Sequence, residues 1–202
     1  TDNGILKGSV SIGDGIIRGV GDITSRGEVV DFGNNYIVPG FIDMHIHGVH
    51  YALVDNGPDD LRSMCQILPM YGVTGFLPTV TPKPPGEDSK FLAELAGTKT
   101  EGAGILGFHL EGPFLKLTGA LTADAITGTG ITRVKSLIEA AKPYRAIFSV
   151  SPDVDNITDL LPFMTEDNNP VFMTHTAATV KETQVAVDLG VRHATHFYDV
   201  FP

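Results

Sequence analysis

The chain has 202 residues, 42% of them hydrophobic, which is enough for one full-sized core with a small accessory unit and too many for a disordered protein. Its formal charge of −10 would be repelled by a nucleic-acid backbone and by an anionic membrane surface, so neither is an expected partner. Cys65 is the single cysteine, which excludes an intrachain disulfide, and no apolar run approaches the ~18 residues of a membrane span or forms a signal peptide, so a cytoplasmic protein is expected.

Residues 1–37 read as short strands interrupted by GDG, GVGD and FGNN, whose Gly, Asn and Asp supply the positive φ angles of tight turns. A small N-terminal β unit, a β-sandwich part, is expected there. From Val38 to Pro202 the pattern changes to apolar strands alternating with helices. The expected strands are GFIDMHIH (40–47), GVTGFLPTV (72–80), AGILGFHLEG (103–112), YRAIFSVSP (144–152), PVFMTHTA (170–177) and VRHATHFYDV (191–200). Between them PDDLRSMCQILPMY, SKFLAELAG, TRVKSLIEAAK and TVKETQVAVDLG carry apolar residues at helical spacing.

This α/β alternation implies parallel pairing with right-handed crossovers, either an open doubly wound sheet or a (β/α)8 barrel. The residues able to do chemistry cluster at the C-terminal ends of the strands, the face that carries barrel active sites, and no Gly-rich phosphate loop follows the first strand. A barrel is therefore expected. About six strand-helix units can be counted where closure needs eight, so the barrel is expected to be incomplete, with its last strands beyond Pro202.

His45 and His47 stand two apart on a strand and so face one side, where two imidazoles can share an ion. An HxH alone is a weak signal, equally at home as polar residues at a barrel mouth. Three further strand ends strengthen it: His109 and Glu111 in GFHLEGPF, His175 in FMTHTAAT and His196 in HATHFYD. One Glu and several His meeting at a barrel mouth form the nitrogen and oxygen ligand set of a catalytic divalent metal. Other polar residues there have plainer readings. His193 is expected to be structural, pointing away from His196 by parity; His50 and Tyr51 are expected in the pocket wall or loop packing; Asp43 is a hydrogen-bond partner at the strand base. His109, one pleat below Glu111, is as readily a buried hydrogen-bonded residue as a catalytic one.

VPGFIDMHIHG, HLEGPFL, the His175 strand end and ATHFYD together resemble the N-acetylglucosamine-6-phosphate deacetylases of the amidohydrolase superfamily. The resemblance implies a metal held by Glu111, His175 and His196, with His45 and His47 available for a second ion, and hydrolysis of the acetamide of an amino sugar. It implies zinc or iron, one or two ions, a small-molecule amino-sugar substrate, contacts to that substrate from Asp199 and Val200, and a homodimer when complete. The family's catalytic Asp, at the end of an eighth strand, matches no residue of this chain. Leu121 stands where the family has a substrate-contacting His, and Asp199 where it has an Asn near the sugar phosphate. These departures leave two rivals: another amidohydrolase reaction, such as cyclic amide hydrolysis or deamination, and a non-catalytic metal-binding barrel.

Overall fold

A computed structural model describes residues 4–24, 27–128 and 130–202, in two compact units, Thr1–Pro39 and Gly40–Pro202. In the first unit β1 (Ser9–Gly13) pairs antiparallel with β2 (Ile16–Gly21). Asp14 and Gly15 join them with φ of 52° and 72°, the two positive values that a tight Asp-Gly hairpin turn requires. The turn chemistry read from GDG thus forms a hairpin. Residues 1–3, 25 and 26 of the expected N-terminal unit lie outside the described residues.

In the second unit, β3 (Phe41–Ile46) is followed by a short hairpin of β4 (Gly48–Val49) and β5 (Ala52–Leu53), then α1 (Pro58–Ile67). Next come β6 (Val73–Val80), α2 (Glu87–Ala96), β7 (Gly104–Ile105), β8 (Phe108–Glu111) and α3 (Ile131–Ala140). The unit ends with β9 (Ala146–Val150), α4 (Ile157–Met164), β10 (Phe172–Met173), α5 (Val180–Asp188) and β11 (His193–Ala194). The sheet runs β3-β6-β8-β9-β10-β11, with β7 also on β6, and every pairing in it is parallel.

Alternation along the strands sorts side chains to the two faces. Phe76, Phe108 and Phe148 pack outward with Leu61, Met64, Leu92, Leu95, Leu161 and Met164 of the helices in one large core, while Leu77, Ile147 and Phe172 form a separate cluster on the other face. The helices follow from local signals. Pro58 opens α1, whose buried Leu61, Met64 and Cys65 repeat at helical spacing. Thr179 and Glu182 form a reciprocal capping box on α5.

The six-stranded parallel sheet is that of an incomplete (β/α) barrel. Laid flat, its edge strands β3 and β11 would lie about 24 Å apart, from five spacings of roughly 4.8 Å. The rings of His45 and His196 are 5.5 Å apart, so the sheet curls strongly. Two details differ from the sequence reading. Leu106 and Gly107 split the expected third strand into β7 and β8, and α4 went unrecognised because Pro162 interrupts its helical pattern.

Candidate metal centre

Glu111 is the last residue of β8, and its carboxylate is buried. Its Oε1 lies 2.8 Å from His196 Nε2, 3.2 Å from His175 Nε2 and 3.8 Å from His45 Nε2, while Oε2 lies 3.0 Å from His47 Nε2. Four imidazoles from three other strand ends therefore surround one carboxylate. Ligand atoms of His45, Glu111 and His196 all fall within 4.8 Å of one another.

The backbone turns sharply where these side chains leave the sheet. β10 stops at Met173 and β11 at Ala194, and His175 and His196 take φ of 49° and 32°, a region costly for a residue with a Cβ. That turn brings His196 onto Glu111. His193, though exposed, lies on the same sheet face as Phe172, on whose ring it stacks at 4.8 Å, because parity counted from His193 to His196 lapses once β11 ends at Ala194. The expectation that His193 points away from the site by parity is corrected accordingly, although it makes no contact with Glu111.

Neighbouring groups fix the imidazoles. His175 Nδ1 lies 3.0 Å from the Leu117 carbonyl and His196 Nδ1 lies 3.2 Å from the Asp199 carbonyl. A carbonyl oxygen only accepts, so each Nδ1 carries the hydrogen and the Nε2 facing Glu111 holds the lone pair of the neutral ring. His45 Nδ1 is 3.4 Å from Thr79 Oγ1, and His109, fully buried, donates from Nδ1 to the Met44 carbonyl at 2.8 Å. Asp43 Oδ1 accepts from the His45 amide at 3.1 Å, the hydrogen-bonding part expected of it. His50 pairs with Tyr71 at 2.5 Å, and Tyr51 is exposed.

Burial alone would raise the Glu111 carboxyl; with a proton on the ring nitrogens that face it, His175, His47 and His196 outweigh burial and hold the group far below the ordinary carboxylate range. Burial pushes His45 down to about 4 against the attraction of Glu111, and pushes His109 down to about 4. His47 moves the other way, raised chiefly by its hydrogen bond to Glu111.

The exposed Asp199 and half-buried Val200 follow His196. The Asp199 amide donates to the His196 carbonyl at 2.8 Å, and the Val200 carbonyl accepts from the Thr176 amide at 3.2 Å, which ties the two histidine strand ends together. Sequence reasoning missed Thr79, Gly119 and Ser151. Ser151 Oγ donates toward the Thr174 and His175 carbonyls and accepts from the Lys116 amide. A Cβ on Gly119 would lie 2.6 Å from His175 Cε1. Thr79 and Ser151 could have been found by counting inward positions along GVTGFLPTV and YRAIFSVSP; Gly119 lies in a loop with no periodic signal.

No protein-family model matches the chain. Its sequence is 30% identical to the N-acetylglucosamine-6-phosphate deacetylase of Bacillus subtilis (strain 168), a match covering 98% of this chain and 54% of that protein. It is 26% identical to the N-acetylgalactosamine-6-phosphate deacetylase of Escherichia coli O157:H7, over 93% of this chain and 51% of that one. Its fold matches, with a TM-score of 0.78 and 22% identity, a mutant N-acetyl-D-glucosamine-6-phosphate deacetylase from Mycobacterium smegmatis in complex with N-acetyl-D-glucosamine-6-phosphate, over 91% of this chain and 49% of that structure. The chain spans about half the length of the curated relatives it matches. The resemblance carried by HLEGPFL and its companion motifs is borne out.

Proposed function

We propose that this relative of the N-acetylglucosamine-6-phosphate deacetylases carries the cation-binding portion of a metal-dependent amide hydrolase. The whole enzyme would remove the acetyl group from an N-acetylated amino sugar, first of all N-acetylglucosamine 6-phosphate. One observation carries the reading: two imidazoles committed through Nδ1–H to the Leu117 and Asp199 carbonyls turn their Nε2 atoms on the same carboxylate oxygen, at 3.2 and 2.8 Å. Lone pairs facing a carboxylate repel it unless each ring takes a second proton or a cation lies among them. The donor set of one carboxylate and several imidazoles fits zinc or iron.

Glu111, His175 and His196 would hold one ion, and His45 with His47 could hold a second. An ion so held would supply Lewis-acid chemistry, making a water more acidic and an amide carbonyl more electrophilic. The chain's own groups do the orienting: the Leu117 and Asp199 carbonyls fix two tautomers, and the buried Glu111 stays ionised. Asp199 and Val200, at the rim beside His196, are the proposed sugar contacts. The Asp expected as proton carrier at an eighth strand end is assigned to no residue of the chain. A cytoplasmic, homodimeric enzyme completes this reading; among the described residues no helix is long and apolar enough to cross a membrane.

The test is metal content and acetate release. Chelator-treated protein reloaded with Zn2+ or Fe2+ should retain ion after desalting, and Glu111→Gln should lose it. The natural full-length protein should release acetate from N-acetylglucosamine 6-phosphate only when loaded. A chain that retains no ion would refute the cation-binding part, and a loaded full-length protein that deaminates or opens a cyclic amide instead would favour the rival chemistry.

A further inference from the structure

The geometry points to His109 as a positioning residue: its Nδ1–H grips the Met44 carbonyl and so fixes the irregular turn of β3 that aims His45 at Glu111. The inference rests on the cation-site reading only for one of its two tests.

The β3 ladder slips where His45 leaves it. Asp43 pairs with Phe76 and Ile46 with Pro78, so three steps along β3 match two along β6. An extra residue of this kind bends a strand, redirects its side chains and takes backbone groups out of the ladder. Each such group needs another partner. Side chains supply three: Asp43 Oδ1 accepts from the His45 amide at 3.1 Å, Thr79 Oγ1 accepts from the Ile46 amide at 2.9 Å, and His109 Nδ1 donates to the Met44 carbonyl at 2.8 Å. Asp43 belongs to β3 itself and Thr79 to the adjacent β6. His109 alone reaches from β8, across β6, where its partner in register is the small Thr79.

A histidine is an expensive choice for this position if packing is its purpose. The side chain is fully buried and lies 4.9 Å from the Phe172 ring, a setting that suits Leu or Phe. Among the described residues its Nε2 has no hydrogen-bond partner, a desolvation cost that an apolar residue would avoid. What an apolar residue could not do is donate to Met44. The His109 and His45 rings also touch, 4.9 Å between centres at 65°, so the residue that holds the bend also walls one side of the ring that the bend aims.

The experiment compares His109→Asn, whose amide nitrogen takes the place of Nδ1, with His109→Leu, which has no donor. The first reading is the His45 imidazole in metal-free protein, followed by long-range 1H–15N NMR: His109→Leu should shift its nitrogens and His109→Asn should leave them near their original values. The second reading is Zn2+ affinity, since supporting partners of ligand histidines are typically worth about 10–100-fold. His109→Leu should weaken binding by about tenfold or more in the parent but by less than about twofold in a His45→Ala background, because the effect runs through His45. His109→Asn should restore most of the loss. If His109→Leu does not fold, His109→Met takes its place, since it is also donor-free and adapts its shape to the site. An equal loss in both backgrounds, or Asn faring no better than the donor-free variant, overturns the inference. Should the parent bind no Zn2+, the cation-site reading fails, and the NMR comparison alone decides the role of His109.

Discussion

His45 stands on one edge strand of the parallel sheet, β3, and His196 lies two residues beyond the other, β11, yet their rings are 5.5 Å apart and inclined at 71°. Glu111, on a middle strand, reaches both. Whatever binds this trio ties the edges of the sheet together.

Cation binding should therefore stabilise the whole second unit. A ligand at 100 times its Kd adds about 2.7 kcal/mol. Saturating Zn2+ should raise the urea midpoint of the parent and leave that of Glu111→Gln unchanged. Equal shifts in both proteins would place the ion elsewhere.

In chelator, stability should peak near pH 6.5 and fall on both sides. His45 and His109 have folded values near 4, below the ordinary 6.5, so their contribution is lost as pH drops from 6.5 towards 4. Each proton taken up only on unfolding costs about 1.4 kcal/mol per pH unit. Glu111, held low by its histidine partners, adds to the loss below the ordinary carboxylate value. His47 is raised by Glu111, so its contribution is complete below 6.5 and disappears as pH rises through its folded value. Urea midpoints from pH 5 to pH 8 check both limbs, and His47→Ala should flatten chiefly the alkaline one, with a smaller effect on the acid limb through its repulsion of His45 and His109. A midpoint that stays level between pH 6.5 and 5 contradicts the burial of His45 and His109.

Gly119 should not tolerate a side chain. Its φ is 56°, and an added Cβ would lie 2.6 Å from His175 Cε1 and 3.0 Å from Nδ1. Gly119→Ala should weaken Zn2+ binding by about tenfold, the scale of a displaced supporting contact, while costing about 1 kcal/mol of metal-free stability. Isothermal titration with Zn2+, beside an urea curve, separates the two. Unaltered affinity would show that the loop yields instead of the histidine.

Asp199 should bear on substrate choice. Its exposed carboxylate follows a proposed ligand, and a negative charge near a sugar phosphate opposes it by roughly 1 kcal/mol in a partly solvated setting. In the natural full-length enzyme, Asp199→Asn should improve kcat/KM for N-acetylglucosamine 6-phosphate by about fivefold relative to unphosphorylated N-acetylglucosamine. No change in that ratio would mean the carboxylate points away from the phosphate.

The residues that make up the cluster were legible because strand parity and strand-end position are periodic signals. Both place His45, His47, Glu111, His175 and His196 at one end of a sheet. What could not be read was how the last two histidines reach the centre. Their strands are two residues each, and the approach depends on positive φ at His175 and His196, which nothing in a non-glycine residue announces. The slip in β3 was equally hidden, since a bulge depends on the partner strand as much as on its own residues. His109, one pleat below Glu111, therefore reads in the sequence as either a buried hydrogen-bonded residue or a catalytic one, and only the slip shows what its donor meets.

His45 and His196 are 151 residues apart in the chain (196 − 45), so no local fragment holds the centre, and contacts of such long range form late in folding. A ribosome adding about 5–20 residues per second exposes the first histidine on the order of ten seconds before the last. During that interval Glu111 and the inner cluster of Leu77 and Ile147 emerge without their partners on β10 and β11. The nascent chain thus presents an unfinished parallel edge to the translating cell, and chaperone demand should concentrate in the synthesis window between Glu111 and His196.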